Sequence, residues 1–169
     1  LGVGVLLGII CLILTYFGNH DDELHTRFWS NILHNSVFFT GIALMAVFFL
    51  SASITAWAGW YTIFKRVWES MGQFLIVGFV LMLILGLGVY FGWHHLYHWA
   101  DAASVADDEI LDGKSGFLNA NMYVIFGGII VAVWYFFANR MRAISLDEDK
   151  HGDNSFKHHR RLRTYAAIF

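Results

Sequence analysis

The sequence predicts an all-α, polytopic transmembrane helical bundle, and three observations lead to this prediction. Of the 169 residues, 57% are hydrophobic and 14% are charged, whereas soluble domains carry roughly 25% charged residues. The charged residues gather between long stretches that contain none, as in a chain that crosses a bilayer several times. Lysine and arginine are concentrated in alternate connections between these stretches. A simple soluble domain is therefore excluded.

Four stretches without charged residues are predicted to be membrane spans, and they lie at residues 1–17, 35–61, 70–94 and 119–139. A helix needs roughly 20 residues to cross a hydrocarbon core of about 30 Å. The first stretch is short, and a signal peptide is its alternative interpretation, although no basic segment precedes it. The third stretch contains Gly88 and Gly92 in a GxxxG pattern, which lets neighbouring backbones approach closely.

The distribution of lysine and arginine predicts the orientation of the spans. The connections after spans 1 and 3 hold two such residues, Arg27 and Lys114. The segments after spans 2 and 4 hold nine, namely Lys65, Arg66, Arg140, Arg142, Lys150, Lys157, Arg160, Arg161 and Arg163. Because the more basic side faces the cytoplasm, the N-terminus is predicted to be cytoplasmic and residues 18–34 and 94–118 to be external.

The segment 156–169 passes from strongly basic to apolar residues. This pattern is typical of the cytoplasmic start of a fifth span. We therefore expect residues 1–169 to form a single transmembrane domain that is the N-terminal part of a larger bundle. A short amphipathic helix on the membrane surface is the alternative interpretation.

Cofactor chemistry within this chain is not expected. The single cysteine, Cys11, cannot form an internal disulfide or bind an iron–sulfur cluster by itself. None of the nine histidines lies at mid-span, whereas a buried haem b needs axial histidines on facing helices at the same depth. No nucleophile has a base placed beside it. The sequence thus predicts no catalytic, metal-binding or cofactor-binding residue, and its few basic residues disfavour nucleic acid as a partner.

One cluster of titratable residues lies where span 3 is predicted to emerge, and it comprises His94, His95, His98 and Asp101. If the helix continues through this cluster, His94 and His98 share a face. Histidine titrates near neutral pH and a nearby carboxylate raises its proton affinity, so these four residues are candidates for proton exchange with the external water. Two alternatives remain open: an interfacial belt of Trp, Tyr and His, and a zinc site lacking part of its ligand set.

Two groups of residues resemble the ActF-type membrane subunit of bacterial alternative complex III, a relative of the NrfD and PsrC subunits. The first group resembles a cytoplasmic turn and consists of Ala58, Gly59, Trp60, Arg66 and Glu69. The second resembles an external loop and consists of His95, Leu96, Trp99, Asp101 and the run from Gly113 to Asn119. The likeness covers about residues 35 to 139. An arginine that the family often places shortly after the Leu-Asn pair is missing here, where Phe126 and its neighbours are uncharged.

The resemblance implies a cofactor-free subunit of a menaquinol-oxidising complex in the bacterial inner membrane, structural or helping to conduct protons. It further implies partner subunits that carry haem c and iron–sulfur clusters, a homologous NrfD-like subunit that binds menaquinol, and electron transfer to a cytochrome c or a terminal oxidase. Lipid is a further expected partner. Two other functions stay open: a secondary transporter, which the absence of proline and of repeats disfavours, and a membrane anchor that binds haem b or quinone.

Overall fold

The computed structural model describes residues 2–18, 25–106, 108–152 and 155–169. These residues are helical apart from short turns, and the helices with their bounds are α1 (Gly2–Phe17), α2 (Thr26–Thr55), a 3-10 helix (Gly59–Ile63), α3 (Lys65–Gly72), α4 (Leu75–Tyr90), a 3-10 helix (His98–Ala100), α5 (Ala102–Ala106), α6 (Glu109–Asp112), α7 (Ala120–His151) and α8 (Lys157–Ile168). The predicted all-α class is confirmed for the described part of the chain.

Three helical segments are long and apolar enough to cross a membrane: Thr26–Thr55, Lys65–Tyr90 and Ala120–His151. The first predicted span corresponds to α1, which has 16 residues and a length of about 24 Å. None of its residues is buried. Of the four predicted spans, three correspond to helical segments of sufficient length and the first corresponds to a shorter apolar helix.

The helix boundaries differ from the predicted span boundaries, because span prediction locates the uncharged stretch and not the whole helix. Helix α2 begins nine residues before the predicted start at Asn35. The residues 26–34 include polar and charged side chains that are acceptable in a helix outside a bilayer, so His34 is helical and not in a loop. Helix α7 likewise continues past Asn139 to His151.

Residue contacts divide the chain into two compact units. Unit 1 comprises residues 1–36 and 81–127, and unit 2 comprises residues 37–80 and 128–169. The main hydrophobic core belongs to unit 2, where α2, the first 3-10 helix, α4, α7 and α8 contribute buried side chains. Its members include Val47, Leu50, Ile54, Leu75, Met141 and Leu162.

Helix α2 ends in a turn that normally uses glycine but here uses tryptophan. The Ala58 N–H donates to the Ser53 carbonyl at 3.0 Å, and the Trp57 N–H donates to the Ile54 carbonyl at 3.3 Å. This is a Schellman arrangement, and Trp57 has the left-handed backbone angle φ of 57° that it requires. For a residue with a side chain this conformation costs about 1–2 kcal/mol. The Trp57 ring offsets that cost through contacts with α8, to His159 at 4.6 Å and Arg163 at 5.2 Å.

Helix α4 ends in the same kind of turn, with glycine in the left-handed position. Gly92 has φ of 69°, and the Trp93 N–H donates to the Gly88 carbonyl at 2.8 Å. Gly92, the second glycine of the GxxxG pattern, therefore does not serve close helix packing as predicted. Gly92 terminates the helix, and no atom lies within 4 Å of the position where its Cβ would be.

Candidate functional site

The turn at Gly92 separates α4 from the four residues that are predicted to exchange protons. Because α4 ends at Tyr90 and residues 94–97 are not helical, His94 and His98 do not lie on one continuous helix. The condition under which they would share a helix face, a helix that continues through the cluster, is therefore not met. The physical reason is the left-handed Gly92, which redirects the chain before the first histidine.

His94 lies inside unit 1. It is 1% exposed, its ring lies 4.8 Å from that of Trp29, and its Nε2–H donates to the Leu85 carbonyl oxygen at 3.2 Å. A carbonyl can only accept, so this bond fixes the proton on Nε2. His94 Nδ1 is buried without a hydrogen-bond partner among the residues that the structure describes. His94 is thus a packed, neutral side chain and not part of a water-facing mouth.

Glycine at position 88 makes room for this histidine. A Cβ added to Gly88 would lie 2.7 Å from His94 Nε2 and 2.8 Å from its Cδ2. Such distances are far below van der Waals contact, so any side chain at position 88 displaces the imidazole. Gly88 therefore serves close packing, as the sequence suggested, but its partner is a histidine beyond its own helix.

We expect the stability of the protein to fall at acidic pH because of His94. Burial, more than the neighbouring charge of His95, lowers the pKa of His94 from its ordinary value of 6.5, and the hydrogen bond to Leu85 only partly opposes this. Below that pH the unfolded chain binds a proton that the folded chain does not, so the free energy of unfolding decreases as the pH falls. Denaturant unfolding in detergent between pH 8 and pH 5 measures the effect.

His94→Gln removes the titrating group, and its unfolding free energy should therefore depend less on pH than that of the wild type. The matched control is His95→Gln, because His95 is an exposed neighbour. The control should keep most of the wild-type pH dependence, because burial lowers the pKa of His94 more than the charge of His95 does. If both variants keep that dependence, the buried state of His94 makes no contribution and the expectation is wrong.

The other three predicted proton-exchange residues are accessible to different degrees. His95 and His98 are exposed. Asp101 is half-buried, and its Oδ2 accepts a hydrogen bond from Ser104 Oγ at 2.8 Å. The structure thus leaves two exposed imidazoles and one carboxylate close together in sequence, and it removes His94 from this group.

An aromatic cavity of unit 1 was not predicted from the sequence. Tyr97 Oη and Tyr123 Oη are 3.0 Å apart and hydrogen-bonded, and the Trp99 ring lies 5.5 Å from that of Tyr123. Beside them is a cavity of about 250 Å³, lined by Tyr97, Trp99, Phe117, Asn119, Met122, Tyr123 and Phe126. The sequence signal was the density of aromatic residues on both sides of the loop, but only folding brings Tyr97 against Tyr123.

A network of ion pairs in unit 2 was also not predicted from the sequence. Arg66 on α3 pairs with Glu69 on the same helix and with Asp149 on α7. Lys65 Nζ lies 3.3 Å from Glu148 Oε2. Glu69 is only 5% exposed. The network therefore joins α3 to α7 through the Arg66–Asp149 and Lys65–Glu148 pairs, and within α3 it neutralises a carboxylate that is out of water.

A second cavity, of about 490 Å³, adjoins this network. Its lining combines the Lys65 and Glu148 pair with aromatic and polar groups that include Trp57, Tyr61, Phe156 and His159. The Nε2 atom of His159 is buried without a partner within the described part of the chain. The buried carboxylate of Glu69, the second cavity and the ion pairs all belong to unit 2.

Comparison with known proteins finds no family model that matches the chain and no curated protein that matches it. The function proposed below is therefore based on the residues of this chain. Among the residues that the structure describes, no three His, Cys, Asp or Glu side chains are placed to hold a metal ion.

Proposed function

We propose that this chain is a multi-pass integral membrane subunit of a quinol-oxidising respiratory complex in the bacterial inner membrane, and that it has no redox cofactor of its own. The observation that supports this proposal best is where the ionisable groups lie. The charged side chains of α3 and α7 form ion pairs with one another at residues 65–69 and 148–149, whereas the apolar stretches of the three long segments contain none. Such a pattern suits a scaffold that fixes helices for neighbouring subunits.

The residues that carry the family resemblance support the same assignment. Arg66 and Glu69, both in the resembling cytoplasmic turn, are the residues that form the buried part of the ion-pair network. Trp99 and Asn119, from the resembling external loop, line one cavity. These four residues thus belong either to the ion-pair network of unit 2 or to the cavity wall of unit 1.

The proposed topology has four spans with the N-terminus in the cytoplasm. Nine of the eleven lysines and arginines follow spans 2 and 4, and two follow spans 1 and 3, so the positive-inside rule assigns the segments after spans 2 and 4 to the cytoplasm. Single cysteines at Gly116 and Lys150, in a Cys11→Ala background, test it. Gly116 has no atom within 4 Å of its Cβ position, and Lys150 is exposed.

An impermeant thiol reagent added to intact cells should label Gly116→Cys, and it should label Lys150→Cys only after the membrane is opened. Both sites reacting from outside would overturn the topology. The Cys11→Ala parent, which has no thiol, is the control for background labelling.

Within this function we propose that His95, His98 and Asp101 exchange protons with the external water. The basis is their position at the end of a long uncharged segment, together with the exposure of both imidazoles. His95→Gln with Asp101→Asn removes titration while keeping size and hydrogen-bonding capacity. We expect slower quinol turnover and reduced proton release by the assembled complex.

His94→Gln is a poor control here because it disturbs packing, so His34→Gln, on exposed α2 surface, is used instead. It should retain wild-type turnover. If the His95 and Asp101 double variant also retains full turnover and proton release, the residues form an interfacial belt and the proton-exchange role is wrong.

The cavity beside Tyr97 and Tyr123 favours one alternative function, a quinone-binding membrane anchor. Its aromatic walls suit a planar ring, and one hydroxyl of the Tyr97–Tyr123 pair has a proton that their mutual hydrogen bond does not use and that could be donated to a quinone oxygen. Quinone that copurifies with the wild type and is lost in Tyr123→Leu would support this alternative. A Soret absorption band of the purified chain would instead indicate haem, and either result would contradict the cofactor-free assignment.

A further inference from the structure

Helix α8 presents a row of basic side chains on one face. Arg160 and Arg161 each lie three or four residues from Lys157 and from Thr164, so the four side chains form a single stripe. All four are exposed, and together with His158 they line a concave surface with a volume of about 380 Å³. We call this stripe the basic face of α8.

The other sides of α8 pack against the rest of unit 2, and these contacts fix the direction in which the basic face points. Leu162 and Ala166 are buried in the core. His158 Nε2 lies 3.1 Å from Asp147 Oδ2 on α7, and the Arg163 guanidinium lies over the Trp57 ring. These contacts use the sides of α8 that the basic face does not occupy.

The contacts between α7 and α8 also set the depth of the basic face. His158 contacts Asp147, the Tyr165 ring lies 5.8 Å below the Arg140 guanidinium, and Phe169 lies 6.1 Å from Phe137. Residue numbers that rise on one helix and fall on the other show that the two helices are antiparallel. Helix α8 therefore returns toward the apolar part of α7.

Arg140 is the first charged residue after the uncharged stretch of α7, so it marks the edge of the hydrocarbon core. Tyr165 is level with it. Arg161 lies four residues before Tyr165, or about 6 Å along the axis, and Arg160 lies about 7.5 Å away. The polar layer of one leaflet is roughly 5–8 Å thick. Both guanidinium groups are thus at the depth of lipid phosphates.

No carboxylate of the described residues neutralises the basic face. Helix α8 contains no acidic residue, and Lys157, Arg160 and Arg161 form no ion pair with any carboxylate in the described ranges. Asp147, the nearest acid in the α8 contacts above, is engaged by His158 and His151. Phe156 and Ile168 are exposed at the two ends of the helix, where they can contact acyl chains.

We propose that the basic face of α8 is a binding site for anionic phospholipid headgroups, with Arg160 and Arg161 holding the phosphate and Lys157 and the Thr164 hydroxyl adding further donors. Guanidinium groups donate paired hydrogen bonds to phosphate oxygens. Basic residues near the surface attract anionic lipid. The site requires that α7 crosses a membrane, but it does not depend on the respiratory assignment.

Native mass spectrometry of the full chain in detergent tests the proposal, with phosphatidylglycerol and phosphatidylcholine supplied in equal amounts. The wild type should retain phosphatidylglycerol preferentially. Arg160→Gln with Arg161→Gln should lower that preference by about fivefold for each charge removed, or about 25-fold in all. The matched control, Lys114→Gln with Lys150→Gln, removes the same charge from two exposed lysines outside the basic face and should leave the preference unchanged.

Arg160→Lys with Arg161→Lys keeps the charge and is less disruptive if the glutamine variant fails to fold. It should retain part of the preference, since lysine donates to phosphate only as a point charge. Equal retention of the two lipids by the wild type would overturn the proposal. So would an equal loss in the test and control variants, which indicates diffuse attraction. Loss of an acidic partner protein without any change in lipid retention would overturn it as well and would assign the face to that partner.

Discussion

Arg66→Met should lower the free energy of unfolding by about 2–3 kcal/mol. The substitution leaves Glu69 buried and without its cation, and breaking a buried ion pair from one side costs several kcal/mol. We place the effect at the lower end because the Arg66 side chain is 42% exposed. The substitution also removes the ion pair of Arg66 with Asp149 and its hydrogen bond to the Ser145 carbonyl. Unfolding in mixed detergent micelles, followed by circular dichroism, measures the change.

A double variant separates a buried unpaired charge from loss of packing. Arg66→Met with Glu69→Leu removes both charges, so it should be within about 1 kcal/mol of the wild type. Arg160→Met removes a guanidinium that has no described ion-pair partner and should change stability by less than about 0.5 kcal/mol. If Arg66→Met is as stable as this control, the network does not hold α3 to α7.

Gly72→Ala should destabilise the protein by about 2 kcal/mol through overpacking. A Cβ at position 72 would lie 2.7 Å from Val47 Cγ2 and 3.8 Å from the Ala138 Cβ. Val47 is 1% exposed, and valine in a helix has one strongly preferred rotamer, so it cannot turn away. The added methyl group must therefore separate α2 from α3, and the same micelle unfolding experiment measures the cost.

Gly41→Ala provides the control, because Gly41 is also helical and has no atom within 4 Å of its Cβ position. It should be neutral or slightly stabilising, since alanine favours a helix more than glycine does. Val47→Ala removes the clashing methyl, so the Val47→Ala and Gly72→Ala double variant should be more stable than the sum of the single effects predicts. Simple additivity would show that the two residues are not in contact.

The helices could be predicted from the sequence, but their ends could not be predicted with the same precision. Uncharged stretches identified the apolar parts of α2, α4 and α7, because hydropathy is a property of consecutive residues. The real ends depend on turns. Gly92 was interpreted as a packing residue, yet it ends α4, and Trp57 adopts a left-handed angle that its own residue type disfavours and that contacts with α8 offset.

The candidate site shows the same limit. The sequence grouped four titratable residues by their proximity along the chain, and three of them remain accessible or half-buried. His94 does not, because Gly88 and Trp29, which are 6 and 65 positions away in sequence, provide the space and the ring contact that bury it. Nothing in a single sequence distinguishes His94 from His95, since burial depends on which helix face meets the ring.

The sequence by itself determined the class of the molecule: an all-helical chain with apolar segments long enough to cross a membrane and with strongly asymmetric basic charge. These are sums over neighbouring residues, and they hold whatever the helices pack against. Only the tertiary structure decided which polar groups are paired, such as Glu69 with Arg66 and Tyr97 with Tyr123, and that Glu69 is buried. The contacts of α3 with α7 and of α7 with α8 were also decided only by the tertiary structure. Contacts between distant segments arise from close packing, and they leave no periodic pattern in the sequence.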